Sequence, residues 1–256
     1  MAKILYYDIE IAKAVFEIKA YDRKLYTKYL PSDAIKHPKW LICAAWKWLD
    51  ENHVSGVSVL NDPERFKNDF RDDYFVVKTL RDVIDQADIV VGHNANNFDW
   101  KELKAKIVYH NLPPLPHPQM IDTLKFARSE CRFMANDMKY LCKQLECSEQ
   151  KGSSADRDKI DDGCPDAIKK ELKYCMQDIR AGVKLYERVK PYMSNHPNLG
   201  LYEVGVHHHQ CPRCLSHDVI KRGFRYTKAG KYQQFKCKAC GSWSQSGKSL
   251  KKIDLR

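Results

Sequence analysis

Asp8 and Glu10 stand two apart in the run Leu5-Tyr6-Tyr7-Asp8-Ile9-Glu10-Ile11. A β-strand turns residues i and i+2 to one face, so both carboxylates project together from an apolar segment. Two acids on a buried face repel each other and lose hydration, a cost that a bound cation offsets. An isolated Asp-x-Glu is more often the solvated face of an edge strand, so the pair means little alone. Two other segments carry further candidates. Ile89-Val90-Val91-Gly92 is an apolar run that passes through an Asn-rich turn into Asp99, where a helix begins. Taken singly, Asp99 is an ordinary helix N-cap. Tyr174 and Asp178 lie four apart in a helical segment and share one face.

A second constellation lies near the C-terminus. Cys211-Pro-Arg-Cys214 and Cys237-Lys-Ala-Cys240 are separated by 22 residues. Two Cys-x-x-Cys pairs supply the four thiolates of a tetrahedral Zn²⁺ site, the alternative being disulfides or unpaired thiols. Between them, Val219 to Tyr226, a turn at Lys228-Ala229-Gly230 and Lys231 to Phe235 read as a hairpin, so the segment looks like a zinc β-ribbon. So small a module buries little core, and metal binding would be its folding energy. Arg222, Arg225, Lys228, Lys231, Lys236 and Lys238 are expected to bind phosphates. Phe224, Tyr226, Tyr232, Phe235 and Trp243 are interleaved with them and suit stacking on unpaired bases, two or more being needed to pack the ribbon itself. The other cysteines (Cys43, Cys131, Cys142, Cys147, Cys164 and Cys175) have no motif spacing and read as reduced small hydrophobes.

The elements that must position these groups follow from hydrophobic periodicity. Strands are expected at 3–9, 14–21, 40–47 and 54–60, a helix at 79–86, a strand at 88–92 and a helix at 99–110 that stops before Pro113-Pro114. A short strand at 119–122 and helices at 137–146 and 165–190 complete an α/β layout with a mixed sheet. The polar stretch 148–164 is expected to be a long surface loop near the substrate, and 191–206 a linker. His207-His208-His209 reads as part of that linker rather than a metal site.

The 256 residues, 43% hydrophobic and 30% charged, exclude a disordered or fibrous chain. No apolar run approaches the roughly 18 residues of a membrane helix. Asp8 and Glu10 fall where a signal peptide needs its apolar core, so a reducing cytoplasm is expected, or the host cytoplasm for a virus-encoded chain, with no membrane partner. Of the net charge of +11, residues 207–256 carry +10, from twelve basic side chains against Asp218 and Asp254. Such a basic module suits a polyanion, most often nucleic acid.

Taken together, Asp8-Ile9-Glu10, then Gly92-His93-Asn94-x-x-x-Phe98-Asp99, then Tyr174-x-x-x-Asp178 resemble the three exonuclease motifs of the DEDD superfamily. The tyrosine points to its tyrosine-bearing branch, and the wording is similar to the proofreading domains of B-family DNA polymerases, including Tyr174-Cys175 and the segment Ile121-Asp122-Thr123-Leu124. The resemblance covers about residues 1–190. The linker at 191–206 and the zinc ribbon at 207–256 rest on their own residues; for 1–190 the resemblance implies a ribonuclease H-like fold. It implies 3′→5′ hydrolysis of phosphodiester bonds with two Mg²⁺ or Mn²⁺ ions, beside the one structural Zn²⁺ of the ribbon. Asp8 would bridge both ions, Glu10 and Asp178 would hold the ion that activates water, and Asp99 would help hold the second. Tyr174 would orient the nucleophile, since a tyrosine is protonated at neutral pH. His93 and Asn94 would line the path of the 3′ end. Phe98 would share that path or pack in the core, and Asp122 is not expected to be a ligand. Single-stranded DNA is the favoured substrate and RNA the rival. The alternatives are an exoribonuclease, a non-catalytic nucleic-acid-binding adaptor, a transposase- or resolvase-type nuclease sharing the sheet and ribbon, or a ribbon that docks a protein partner.

Overall fold

The computed structural model describes residues 1–19, 29–147, 154–205 and 210–253. The chain enters on its central strand, β1 (Ile4–Ile11), followed by a small antiparallel ribbon of β2 (Val15–Phe16) and β3 (Ile35–His37). β4 (Leu41–Trp48) runs antiparallel to β1 with Asp8 opposite Ala45 and Glu10 opposite Cys43, and β5 (Ser55–Ser58) pairs with β4. After α1 (Pro63–Asn68) and α2 (Tyr74–Ile84) comes β6 (Ile89–Gly92), parallel to β1 on its other side. All four β6 residues are buried, as an apolar run between two parallel neighbours should be. α3 (Asp99–Tyr109) leads to β7 (Gln119–Asp122), which pairs parallel with β6 and completes the sheet order β5-β4-β1-β6-β7.

Then follow α4 (Thr123–Glu130), α5 (Met138–Gln144), the short α6 (Arg157–Asp161) and the 25-residue α7 (Pro165–Val189). α7 starts on Pro165, where the missing N–H costs nothing, and buries Ile168, Cys175, Ile179 and Leu185 along one stripe. That stripe packs on β1 and β4. The approach is close: a Cβ on Gly182 would lie 2.1 Å from the Tyr6 hydroxyl, so only glycine lets the helix meet the strand there.

Several local expectations change. The strand expected at 54–60 ends at Ser58, where the Asn61 side chain accepts the Ser58 amide at 2.9 Å and turns the chain. The described part of the strand expected at 14–21 is confined to Val15–Phe16. α4 forms where no helix was expected, because Asp122 caps it by accepting the Leu124 and Lys125 amides. The described part of the stretch read as a loop, 154–164, contains α6 with Ile160 fully buried. Residues 148–153 and the His207–His209 triplet lie outside the described residues. No helix among the described residues is long and apolar enough to cross a membrane.

The C-terminal module is a small antiparallel sheet. β9 (Gly230–Cys237) is central and pairs with β8 (Val219–Tyr226), β10 (Trp243–Gln245) and β11 (Lys251–Lys252), after the turn and hairpin that the sequence suggested. Gly223, with φ 69°, marks an irregularity in β8 between Lys221 and Phe224. The segment leading into this module is packed: Met193, His196 and Leu199 are buried. Arg213, between Cys211 and Cys214, donates to the carbonyls of His196 at 2.6 Å, Met193 at 2.5 Å and Ser194 at 3.2 Å. His196 stacks on Tyr186 of α7, whose hydroxyl lies 2.7 Å from Nε2. The four-cysteine module is therefore joined to the long helix through an arginine of its own first turn.

Candidate active site

Alternation along β1 sends Tyr6, Asp8 and Glu10 to the face on which α7 lies. On α7, spacings of three and four put Glu171, Tyr174, Cys175, Asp178 and Gly182 on the side toward β1. Gly182 against Tyr6 fixes the distance, and one turn earlier Asp178 comes over Asp8. One carboxylate oxygen each from Asp8, Glu10 and Asp178 lie within 4.8 Å of one another. Tyr174 is half-buried one turn before Asp178.

Asp99 reaches the same strand from the other side. The β1–β6 ladder ends at the Tyr6–Val91 pair, and Asp99 Oδ1 accepts the Ile9 amide beyond that end at 3.3 Å. The turn that delivers it is held by Asp122, whose carboxylate accepts the amides of Asn94 at 3.0 Å and Asn96 at 3.2 Å. Asn94 takes a positive φ of 69° there, a conformation asparagine tolerates better than most residues. Asp122 thus ties the turn to the start of α4, its carboxylate accepting the backbone amides of Asn94, Asn96, Leu124 and Lys125.

Burial and crowding dominate the electrostatics. The Asp8 carboxyl is pushed well above the usual range, by burial first and then by repulsion from Asp99, Glu10 and Asp178. Burial lifts Glu10 to about 7 despite the opposing hydrogen bond from Arg157. Asp99 rises to about 6 by burial, moderated by the backbone amides it accepts. A cluster of hard oxygen donors that repel one another this strongly is what a divalent cation relieves. The donor set therefore fits Mg²⁺ or Mn²⁺.

A groove of about 420 Å³ opens beside these acids. Asp8 and Asp178 line it, together with Tyr6, His93, Asn94, Leu124, Arg128, Asn136, Asp137 and Met138. The His93 ring is held at both nitrogens, Nδ1 at 2.9 Å from the Thr123 hydroxyl and Nε2 at 3.1 Å from the Asn136 carbonyl. Phe98 is 44% exposed, so it is not a core residue.

Arg157 and Glu171 join the site without a sequence motif to announce them. The Arg157 guanidinium lies 2.9 Å from Glu10 and 2.6 Å from Glu171, which is fully buried and also accepts the Ala155 amide. Extending the Tyr174–Asp178 face one turn toward the N-terminus would have found Glu171. Nothing in the sequence pairs it with Arg157, which lies in the stretch read as loop.

The second cluster brings Cys211, Cys214, Cys237 and Cys240 together, with one sulfur each within 4.8 Å of the others. The two turns are built alike. Leu215 (φ 61°) donates to the Cys211 carbonyl and Gly241 (φ 77°) to that of Cys237, both at 3.0 Å. Cys211–Cys240 and Cys214–Cys237 sulfurs are 3.7 Å apart, too far for disulfides, and the convergent set fits a thiolate-bound metal. On the hairpin, Phe224, Tyr226 and Trp243 are exposed, and Lys231 Nζ sits 3.9 Å from the Phe224 ring centre. Arg222 and Arg225 are exposed on β8.

A family model described as "Exonuclease" (RNase_T) matches residues 62–158, a span that contains Asp99 and Asp122 and lies between the other acids. No curated protein matches this chain. Among solved structures it is similar to the family B DNA polymerase from the hyperthermophilic archaeon Pyrobaculum calidifontis, with a TM-score of 0.55 and 16% identity over 75% of this chain. The matched region is 25% of that polymerase, so the chain spans about a quarter of its length. The likeness shows the fold, a mixed sheet with flanking helices that fits a ribonuclease H-like exonuclease. The family-model match supports a nuclease, a hydrolase of nucleic acid.

Proposed function

We propose that this protein is a metal-dependent 3′→5′ exonuclease of the tyrosine-bearing branch, acting on single-stranded DNA. The observation that carries the reading is the convergence of Asp8, Glu10 and Asp178 within 4.8 Å beside an open groove. Asp8, Glu10, Asp99 and Asp178 are the residues that would hold two divalent ions. When bound, such ions supply activation of water and relief of charge on the leaving oxygen. The chain's own residues do the positioning. Tyr174 directs its hydroxyl toward the attacking water, His93 and Asn94 shape the wall along the terminal nucleotide, and Arg128 supplies a cation in the groove. The C-terminal module holds one structural Zn²⁺ and grips the strand through Arg222, Arg225 and Lys231, with Phe224, Tyr226 and Tyr232 as stacking surfaces. Its basic charge, against a near-neutral remainder of the chain, supports that division of labour.

The test is digestion of 5′- and 3′-end-labelled single- and double-stranded DNA and RNA with Mg²⁺, Mn²⁺ or chelator. Stepwise shortening of 5′-labelled single-stranded DNA is expected with metal alone. Asp178→Asn should abolish it with folding and binding retained, while Tyr174→Phe should slow it and leave residual turnover. Preferential degradation of RNA would make the chain an exoribonuclease. Binding without hydrolysis under any metal would leave the adaptor reading.

A further inference from the structure

α4 turns Leu124, Phe126 and Ala127 inward and leaves Lys125, Arg128 and Ser129 exposed. Spacings of three and four put those three on one outer face. Lys125 and Arg128 repel each other there, and neither side chain finds a carboxylate or another hydrogen-bond partner among the described residues. The cations of α2 differ: Lys78 lies 2.8 Å from Asp82, and Arg81 2.9 Å from Asp82 and 3.3 Å from Asp85. A like-charged pair at helical spacing costs the helix stability, a cost that a bound anion relieves.

The two cations border different hollows. Arg128 lines the groove that Asp8 and Asp178 also line. Lys125 and Ser129 line a second recess of about 100 Å³, with Met193, Asn195 and His196 among its other walls. That segment is the one whose carbonyls Arg213 of the cysteine module holds. One Asn-rich turn reaches both hollows, with Asn94 in the groove and Asn96 in the recess. The nearby carboxylates are engaged by backbone amides. Asp122 caps α4, Asp137 accepts the Tyr140 amide at 2.9 Å, and Glu130 accepts that of Ser194 at 2.8 Å.

We infer that the exposed face of α4 carries the bound strand from the candidate active site toward the cysteine module, with Arg128 and Lys125 on neighbouring phosphates. The inference rests on the nucleic-acid reading above and deepens it. The 3′ end lies in the groove, the backbone crosses α4, and the 5′ part reaches the basic module. Helix neighbours at this spacing have Cβ atoms about 5–6 Å apart, and both side chains are long, so successive phosphates of an extended strand fall within their reach. The acids of the groove repel a polyanion, and residues 1–206 are near neutral, so local cations must draw the backbone across.

The test uses full-length Asp178→Asn protein loaded with Zn²⁺ and 5′-labelled oligothymidylates. Lys125→Ser and Arg128→Ser, both at exposed positions, should each weaken binding of a long strand at least about fivefold at low salt and lower the salt slope by about 0.7. Lys67→Ser, which removes one exposed charge from α1, should change neither. With p-benzoylphenylalanine in place of Ser129, photo-adducts should fall at a fixed count of nucleotides from the 3′ end, whatever the strand length. Unchanged slopes for Lys125→Ser and Arg128→Ser, or adducts scattered evenly along the strand, would overturn the track and leave the exonuclease reading intact. An equal drop in slope for Lys67→Ser would show a general charge effect and overturn it as well. Adducts at a fixed count from the 5′ end would overturn the course drawn here together with the 3′→5′ reading. If the wild-type protein neither binds nor hydrolyses the strand, the exonuclease reading itself falls, and the track with it.

Discussion

Arg157 places its guanidinium 2.9 Å from Glu10 and 2.6 Å from Glu171, spanning 147 residues of chain to reach the first of them. One cation thus holds a carboxylate of the candidate site against a fully buried one. Arg157→Ala leaves the Glu171 carboxylate buried with the Ala155 amide donating to it at 2.7 Å. The expected loss is about 3 kcal/mol or more of stability, because an uncompensated buried charge costs more than the pair contributes. The double variant Arg157→Met/Glu171→Met should recover most of it, yet stay impaired in hydrolysis because Glu10 is no longer oriented. Urea midpoints and single-turnover rates of the three proteins check both parts. A double variant as unstable as the single one would show that the ion pair is not the cause.

Gly182 sets how near Asp178 comes to Asp8. Alanine there puts a methyl group 2.1 Å from the Tyr6 hydroxyl, and Tyr6 is almost fully buried. Overpacking of this kind costs about 1–3 kcal/mol. Activity should fall more than stability explains, since α7 must lift away from β1. Gly182→Ala/Tyr6→Leu, which also removes the Cζ and Cε1 atoms that would lie 2.3 and 2.7 Å from the new methyl, should restore part of both, and thermal melts beside turnover at saturating Mg²⁺ measure it.

His196 is held neutral in the joint to the cysteine module. Its pKa is lowered to about 4, by burial first and then by the cations Arg213 and Lys190. The unfolded imidazole titrates near 6.5, so the unfolded chain takes up the proton first. Stability from this group is complete above about pH 6.5 and is lost as pH falls toward 4, a span worth about 3 kcal/mol. Carboxyls with raised pKa act in the opposite sense over the same range, so the comparison must be internal. The melting temperature of the wild type minus that of His196→Gln is expected to shrink as pH drops from 7.5 to 4.5. A constant difference would remove His196 from the joint's energetics.

Exposed cations on the hairpin should govern the salt dependence of binding. Removing residues 207–256 is a poor test, because it also removes Arg213 and exposes the three carbonyls that this side chain satisfies. Arg222→Ser and Arg225→Ser leave those contacts in place. Each is expected to lower the slope of log affinity against log salt by about one while the single-turnover rate at saturating strand stays within about threefold. Fluorescence anisotropy across a salt series gives the slopes. Unchanged slopes would move the polyanion contact elsewhere and favour a protein-docking role for the module.

Much of this site was legible in the sequence because its parts obey short-range periodicities. Asp8 and Glu10 share a face since strands alternate, Tyr174 and Asp178 share one since helices repeat, and two Cys-x-x-Cys turns declare themselves by spacing. Charge arithmetic alone separated the basic last fifty residues from the rest. The tertiary structure decided what no periodicity encodes. It put Asp99 on the Ile9 amide where the β6 ladder ends, gave Asp122 a turn to organise, and set Gly182 against Tyr6 so that Asp178 reaches Asp8. It also drew Arg157 from a stretch read as loop onto Glu10 and Glu171, and Arg213 from a cysteine turn onto the carbonyls near His196. Each of these contacts joins elements far apart in the chain. Their energy comes from buried charges and backbone groups finding partners, and those partners are set by packing rather than by neighbours in sequence.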